Sequence, residues 1–157
     1  MAELAQKVAG GRRIKPVNLH LTLVFLGTTP GERLVCLQEA LQALTVPSLT
    51  LNLDCLGYWP RPRILWLGTS RTPPALTALV ADLQQRLEDC GFSLERRPFR
   101  PHITLARRFS GPVPVVQSPH EFLSWHIDKV TLVESLNKAD GVHYQVLGHW
   151  PVDMDKD

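Results

Sequence analysis

From Leu49 to Asp54 apolar and polar side chains alternate, with Leu49, Leu51 and Leu53 against Thr50, Asn52 and Asp54. That period of two predicts a strand with one face buried, and the alternation continues to Cys55. Beyond the Arg61-Pro62-Arg63 turn, "RILWLGT" reads as its antiparallel neighbour. Other stretches follow the helical period. In "GERLVCLQEALQAL" the residues Leu34, Leu37, Leu41 and Leu44 form one stripe, and Leu76, Leu79, Val80, Leu83 and Leu87 form another, with Thr72 as its cap, Pro73 in its first turn and Gly91 at its end. Residues 1–9 also read as a helix, closing on Gly10-Gly11. Residues 17–25 read as a strand, as does the segment around His102. A loop rich in Pro and Ser at 111–119 precedes two last strands in "WHIDKVTLVES" and "HYQVLGHW".

The predicted order is helix, strand, helix, strand, strand, then helix, strand, strand, strand. This is α+β, and the repeat of a helix followed by a His-bearing strand suggests two lobes of related build. No Gly- or Ser-rich linker divides them, so residues 1–157 are expected to form one domain with two lobes.

The two His-bearing strands spell His-x-Thr-Leu twice, in "NLHLTLVFLG" and "RPHITLARRF". Alternation puts His20 and Thr22 on one face, with Leu19, Leu21 and Leu23 on the other; His102 and Thr104 are likewise set against Ile103 and Leu105. Each strand thus offers a core face and a polar face whose imidazole and hydroxyl are roughly 6.6–6.8 Å apart along the chain. One such pair is ordinary surface or structural chemistry. Two in matching contexts point to a shared site. In-line attack on phosphorus needs a base at the entering oxygen and an acid at the departing one, and imidazole, with an ordinary pKa near 6.5, serves either role. Threonine hydroxyls can hold the non-bridging oxygens between the two histidines. No metal or cofactor is needed for this division of labour.

A net charge of +2, from 17 basic and 15 acidic residues, is too small to argue for nucleic acid. The local charge matters more: Arg96, Arg97, Arg100, Arg107 and Arg108 fall within thirteen residues that hold no acid, with Phe99 and Phe109 interleaved. Guanidinium forks suit phosphates and aromatic faces suit bases. Arg107 lies off the polar face by strict alternation, and would need the strand to end or bulge to join His102 and Thr104. Trp59, Trp66 and Tyr58 are candidates for stacking on a base, although Trp66 in "ILWLG" reads as core. Cys36, Cys90 and Cys55 are widely spaced among apolar residues and read as buried reduced thiols. With no apolar run long enough to span a membrane and no signal segment, the chain reads as cytoplasmic.

The paired "HLTL" and "HITL" resemble the two-histidine (2H) phosphoesterase superfamily. More closely, "NLHLTLVFLG", "PHITLARR" and "TLVESLNKADGVHYQVLGHWP" look like the RNA 2′,3′-cyclic phosphodiesterases, also called 2′-5′ RNA ligases, over nearly the whole chain. The resemblance implies a bilobal fold with antiparallel sheets lining a central cleft, and metal-independent hydrolysis of RNA 2′,3′-cyclic phosphate ends to a 2′-phosphate. It gives His20 the protonation of the departing 3′ oxygen and His102 the activation of water. Thr22, Thr104 and Arg107 would grip the phosphate. Partners would be RNA ends or small cyclic nucleotides. The resemblance also brings Phe25 near the nucleotide, whereas its periodicity assigns it to core packing. Family members usually open with a short apolar strand ahead of the first helix. The expectation here is a truncated member, less stable or covering the gap by self-association. The competing reading is a non-catalytic RNA-end binder using the same cleft. A metal hydrolase built on His102, His120 and His126 lacks an Asp or Glu at ligand spacing.

Overall fold

The computed structural model describes residues 10–94, 97–113, 123–139 and 141–153. The helix expected over residues 1–9 therefore lies outside the described residues. Its strands and helices are β1 (Arg12–Arg13), α1 (Gly31–Ala40), β2 (Leu49–Leu53), β3 (Cys55–Trp59), β4 (Ile64–Gly68), α2 (Pro74–Asp89), β5 (His102–Arg107), β6 (Leu123–Ile127), β7 (Lys129–Lys138) and β8 (Gly141–Pro151). The α+β class follows from the alternating and helical patterns, and no described helix is long and apolar enough to cross a membrane.

The chain divides into two compact units, each assembled from three stretches. The first takes Met1–Thr22, Thr50–Thr72 and Arg100–Trp125. Its centre is a four-stranded antiparallel sheet in the order β1-β5-β4-β3. Strand β3 pairs with β4 from Cys55↔Gly68 to Trp59↔Ile64, and β4 pairs with β5 from Gly68↔His102 to Ile64↔Arg107. Leu65, Leu67, Ile103, Leu105, Ala106 and Phe109 are buried and supply its core, together with Leu51 and Leu53 on β2, where the expected alternation of buried and exposed residues holds.

The second unit takes Leu23–Leu49, Pro73–Phe99 and His126–Asp157, and so contains both described helices and the β7–β8 hairpin. The predicted stripes are its core: Leu37, Leu41 and Leu44 from α1 and the following turn, and Leu76, Leu79, Val80, Leu83 and Leu87 from α2. Arg86 ties the helices together by donating to the Ala40 and Ala43 carbonyls, at the C-terminal end of α1 where carbonyls lack intrahelical partners.

Four expectations are corrected. Cys36 and Cys90 are not free thiols but a disulfide, with Cα atoms 5.8 Å apart; the 54-residue separation conceals that α1 and the end of α2 pack together. Cys55 is the free cysteine. Thr72 does not cap α2, because Pro73 takes the N-cap position with extended backbone and no side-chain hydrogen bond. Residues 17–25 are not one strand. Pro16 starts a 3-10 turn closed by the Asn18 and Leu19 amides donating to the Lys15 and Pro16 carbonyls, after which only Leu21 forms a bridge, to Ile103. Phe25, beyond that bridge, is 83% exposed and packs into no core.

Candidate active site

The Leu21↔Ile103 bridge is antiparallel. Continuing its register by one residue either way sets His20 across from Thr104 and Thr22 across from His102. Opposite residues of an antiparallel pair project to the same side, so all four polar groups leave one face while Leu21 and Ile103 leave the other. The two histidines then occupy a diagonal, roughly 7–8 Å between Cα atoms, with a threonine at each of the other corners. Ile103 is fully buried, which anchors the central residue of the quartet; His20 and Thr22 are exposed, and His102 and Thr104 are half-buried.

The two imidazoles are held alike. His20 Nδ1 is 2.6 Å from the Asn18 carbonyl oxygen, and His102 Nδ1 is 2.7 Å from that of Arg100. A carbonyl oxygen only accepts, so Nδ1 carries the hydrogen and donates it. That leaves Nε2 of each ring as the nitrogen that takes up or releases a proton. The same i to i−2 contact in both motifs is a structural repeat beneath the sequence repeat.

Arg107 reaches this face by a break in register. On β4, Leu65 lies opposite Ala106 but Trp66 lies opposite Thr104, so Leu105 is unpaired between them. An extra residue of this kind is a β-bulge and shifts the phase of the strand. Leu105 and Ala106 are accordingly both buried, and Arg107, exposed and opposite Ile64, returns to the side of His102 and Thr104.

The neighbouring strands add aromatics. By register, Trp66 stands across from Thr104, and Gly68 across from His102. The Trp59 ring meets the His102 ring nearly edge-on, with centroids 4.6 Å apart and planes at 77°, and Trp66 lies 5.2 Å from Trp59. Trp66 is thus half-buried beside the site and not a core residue, as its sequence context had suggested. Its indole occupies space that only glycine leaves open: a Cβ on Gly57 would fall 2.1 Å from Trp66 Cζ2, and one on Gly68 would fall 2.9 Å from Cζ3. Trp66 Nε1 is buried and has no hydrogen-bond partner among the described residues. Tyr58 instead meets the Phe109 ring edge-on, with centroids 5.7 Å apart, and donates its hydroxyl to the Phe109 carbonyl at 3.4 Å.

At the sheet margin, the Ser70 hydroxyl and amide each donate to Asp54 at 2.6 Å. The Ser70 hydroxyl is the main cause holding the Asp54 carboxyl below the usual aspartate range, against a smaller opposing effect of burial. The sequence pattern named His20, Thr22, His102, Thr104 and Arg107, which the register places on one face. It missed Gly57 and Gly68, whose signal was glycine inside otherwise apolar strands, a mark of close approach by another group. Of the histidines considered as metal ligands, His120 lies outside the described residues.

The family model that matches, over residues 2–139, is that of the 2′-5′ RNA ligase superfamily. The RNA 2′,3′-cyclic phosphodiesterase of Escherichia coli (strain K12) is 35% identical over 140 residues, which span 89% of this chain and 79% of that protein. The crystal structure of E. coli LigT in apo form superposes with a TM-score of 0.84 at 33% identity, covering 94% of this chain and 85% of its own. LigT complexed with 3′-AMP gives the same TM-score of 0.84 at 31% identity, covering 97% and 92%. The chain therefore belongs to the 2′-5′ RNA ligase superfamily and has the α+β fold of these solved LigT structures.

Proposed function

We propose that the chain hydrolyses RNA 2′,3′-cyclic phosphate ends to 2′-phosphates, with His20 and His102 as a metal-independent acid and base pair. The observation that carries this reading is the quartet across the Leu21↔Ile103 bridge, in which each imidazole donates Nδ1–H to the carbonyl two residues before it. The names of the relatives add independent support. His102 Nε2 takes a proton from water as the water oxygen bonds to phosphorus; the P–O3′ bond breaks, and His20 Nε2 delivers its proton to O3′. Thr22, Thr104 and Arg107 hold the phosphoryl oxygens, where charge grows in the transition state. A 5′ hydroxyl in place of water would make a 2′-5′ linkage with the same proton transfers, which is ligation. Residues 1–157 act as one catalytic domain, and small cyclic nucleotides carrying the same group are its minimal substrates. The test is incubation of a short RNA ending in a 2′,3′-cyclic phosphate with the protein and a chelator. The expected product is exclusively the 2′-phosphate. A 3′-phosphate product, or binding without turnover, would overturn the reading.

A further inference from the structure

Arg12 and Arg107 are register partners in the β1–β5 pairing. Like charges directly opposite one another on an antiparallel pair repel, unless an anion lies between them. Both residues are exposed, and neither has an ion-pair partner among the described residues. The bulge brings Arg107 to the face of His102 and Thr104, and Arg12, as its partner, projects to the same side. The Ile14 amide donates to the Leu105 carbonyl at 2.9 Å, so residues 12–14 and Leu21 follow the same edge of β5. Arg12 therefore continues the line on which His20 and Thr22 lie, two register steps past Thr104 because the bulge takes up the third residue, about 7 Å at the usual rise.

Charge then identifies a ligand group. A 2′,3′-cyclic phosphate carries one negative charge, already matched by Arg107 and exceeded once an acid imidazolium is present. Arg12 adds a further positive charge that the reacting phosphate cannot neutralise. The nearest other anion on an RNA end is the phosphodiester on the 5′ side of the terminal nucleotide. Its direction also agrees. The departing O3′ belongs to the terminal ribose, so the ribose lies on the side of the acid, His20, and Arg12 shares that edge. We infer that Arg12, paired with Arg107, binds the 5′ phosphodiester of the terminal nucleotide, so that the site selects the end of an RNA chain over an isolated nucleoside cyclic phosphate. This rests on the proposed function with His20 as the acid.

The test compares a cytidine 2′,3′-cyclic phosphate, which has no 5′ phosphate, with the CpC dinucleotide bearing the same cyclic end. Rates are measured for both, together with Kd values for their 2′-phosphate products, in the parent protein, Arg12→Gln and Arg13→Gln. The parent should prefer the dinucleotide about tenfold or more. Arg12→Gln should weaken the dinucleotide about tenfold more than the mononucleotide, and reduce the slope of log Kd against log salt by about 0.7, the value of one single-strand phosphate contact. Arg13→Gln removes the same charge at the register partner of Ala106 and should keep the preference. Equal losses on both ligands in Arg12→Gln, or the same loss in Arg13→Gln, would overturn the inference. If the parent turned over neither cyclic compound, the proposed function would fail, while the product Kd values would still decide the role of Arg12.

Discussion

A carbonyl two residues upstream fixes which nitrogen of each imidazole does chemistry. Because Asn18 O and Arg100 O can only accept, neutral His20 and neutral His102 are Nδ1–H tautomers. Nitrogen NMR of the imidazoles should show the Nδ1–H tautomer in both neutral rings; an Nε2–H tautomer in either would contradict this geometry. Asp54 gives a second residue-scale prediction. Its depressed pKa, set chiefly by the Ser70 hydroxyl, means that the folded state holds the ionised form more tightly than the unfolded chain does. The stability this adds is present above the unfolded pKa and is lost as pH falls through the folded value. Ser70→Ala should raise the Asp54 pKa toward 3.8, and its effect on stability should shrink as the solution is acidified below that range. A Ser70→Ala penalty that is unchanged down to strongly acidic pH would remove the carboxylate from the account.

At the scale of elements, the sheet depends on one departure from regular strand geometry, and its need was foreseeable. Strict alternation from His102 leaves Arg107 off the polar face, and the sequence names the condition for its return, a bulge, without saying where the extra residue sits. The unpaired Leu105 supplies it. The alternation of Leu49, Leu51 and Leu53 and the stripes of α1 and α2 were legible because each segment has one clean period and a single buried face. Residues 17–25 were misread because apolar alternation there coexists with Pro16, whose fixed φ starts a turn that periodicity alone does not register. The site's polar quartet was readable because it repeats. Its aromatic flank was not, since the position of Trp66 depends on Gly57 of the neighbouring strand β3 as well as on Gly68 of its own strand, and no local pattern ties Gly57 to Trp66. Gly57→Ala should therefore destabilise the protein by at least about 1–3 kcal/mol in thermal or denaturant unfolding, the usual cost of overpacking. Combining it with Trp66→Leu should recover part of that loss. An unaffected Gly57→Ala would mean that the indole does not lie where the sheet leaves room for it.

For the molecule as a whole, the two units are stabilised by different means. The first buries sheet residues such as Leu65, Leu67 and Ile103, and carries His20, Thr22, His102, Thr104 and Arg107. The second adds a covalent link between its helices through Cys36 and Cys90. Sequence could not reveal that link, since cysteine spacing carries no information about which helix ends meet in space. Closing a loop across 54 residues contributes on the order of 4 kcal/mol by chain entropy. The Cys36→Ser and Cys90→Ser double variant should lose much of that amount in denaturant unfolding and keep its turnover at 25 °C, because neither cysteine belongs to the unit that holds the quartet. Unchanged stability in the double variant would contradict the link.

A two-histidine mechanism is tested by comparing the parent with His20→Ala and His102→Ala on a short RNA ending in a 2′,3′-cyclic phosphate, with chelator present and the fold checked by unfolding. Each variant should fold normally and lose about 10²–10⁴ in turnover, the usual contribution of a general acid or base. Near-parental rates in either variant would contradict a mechanism that needs both imidazoles.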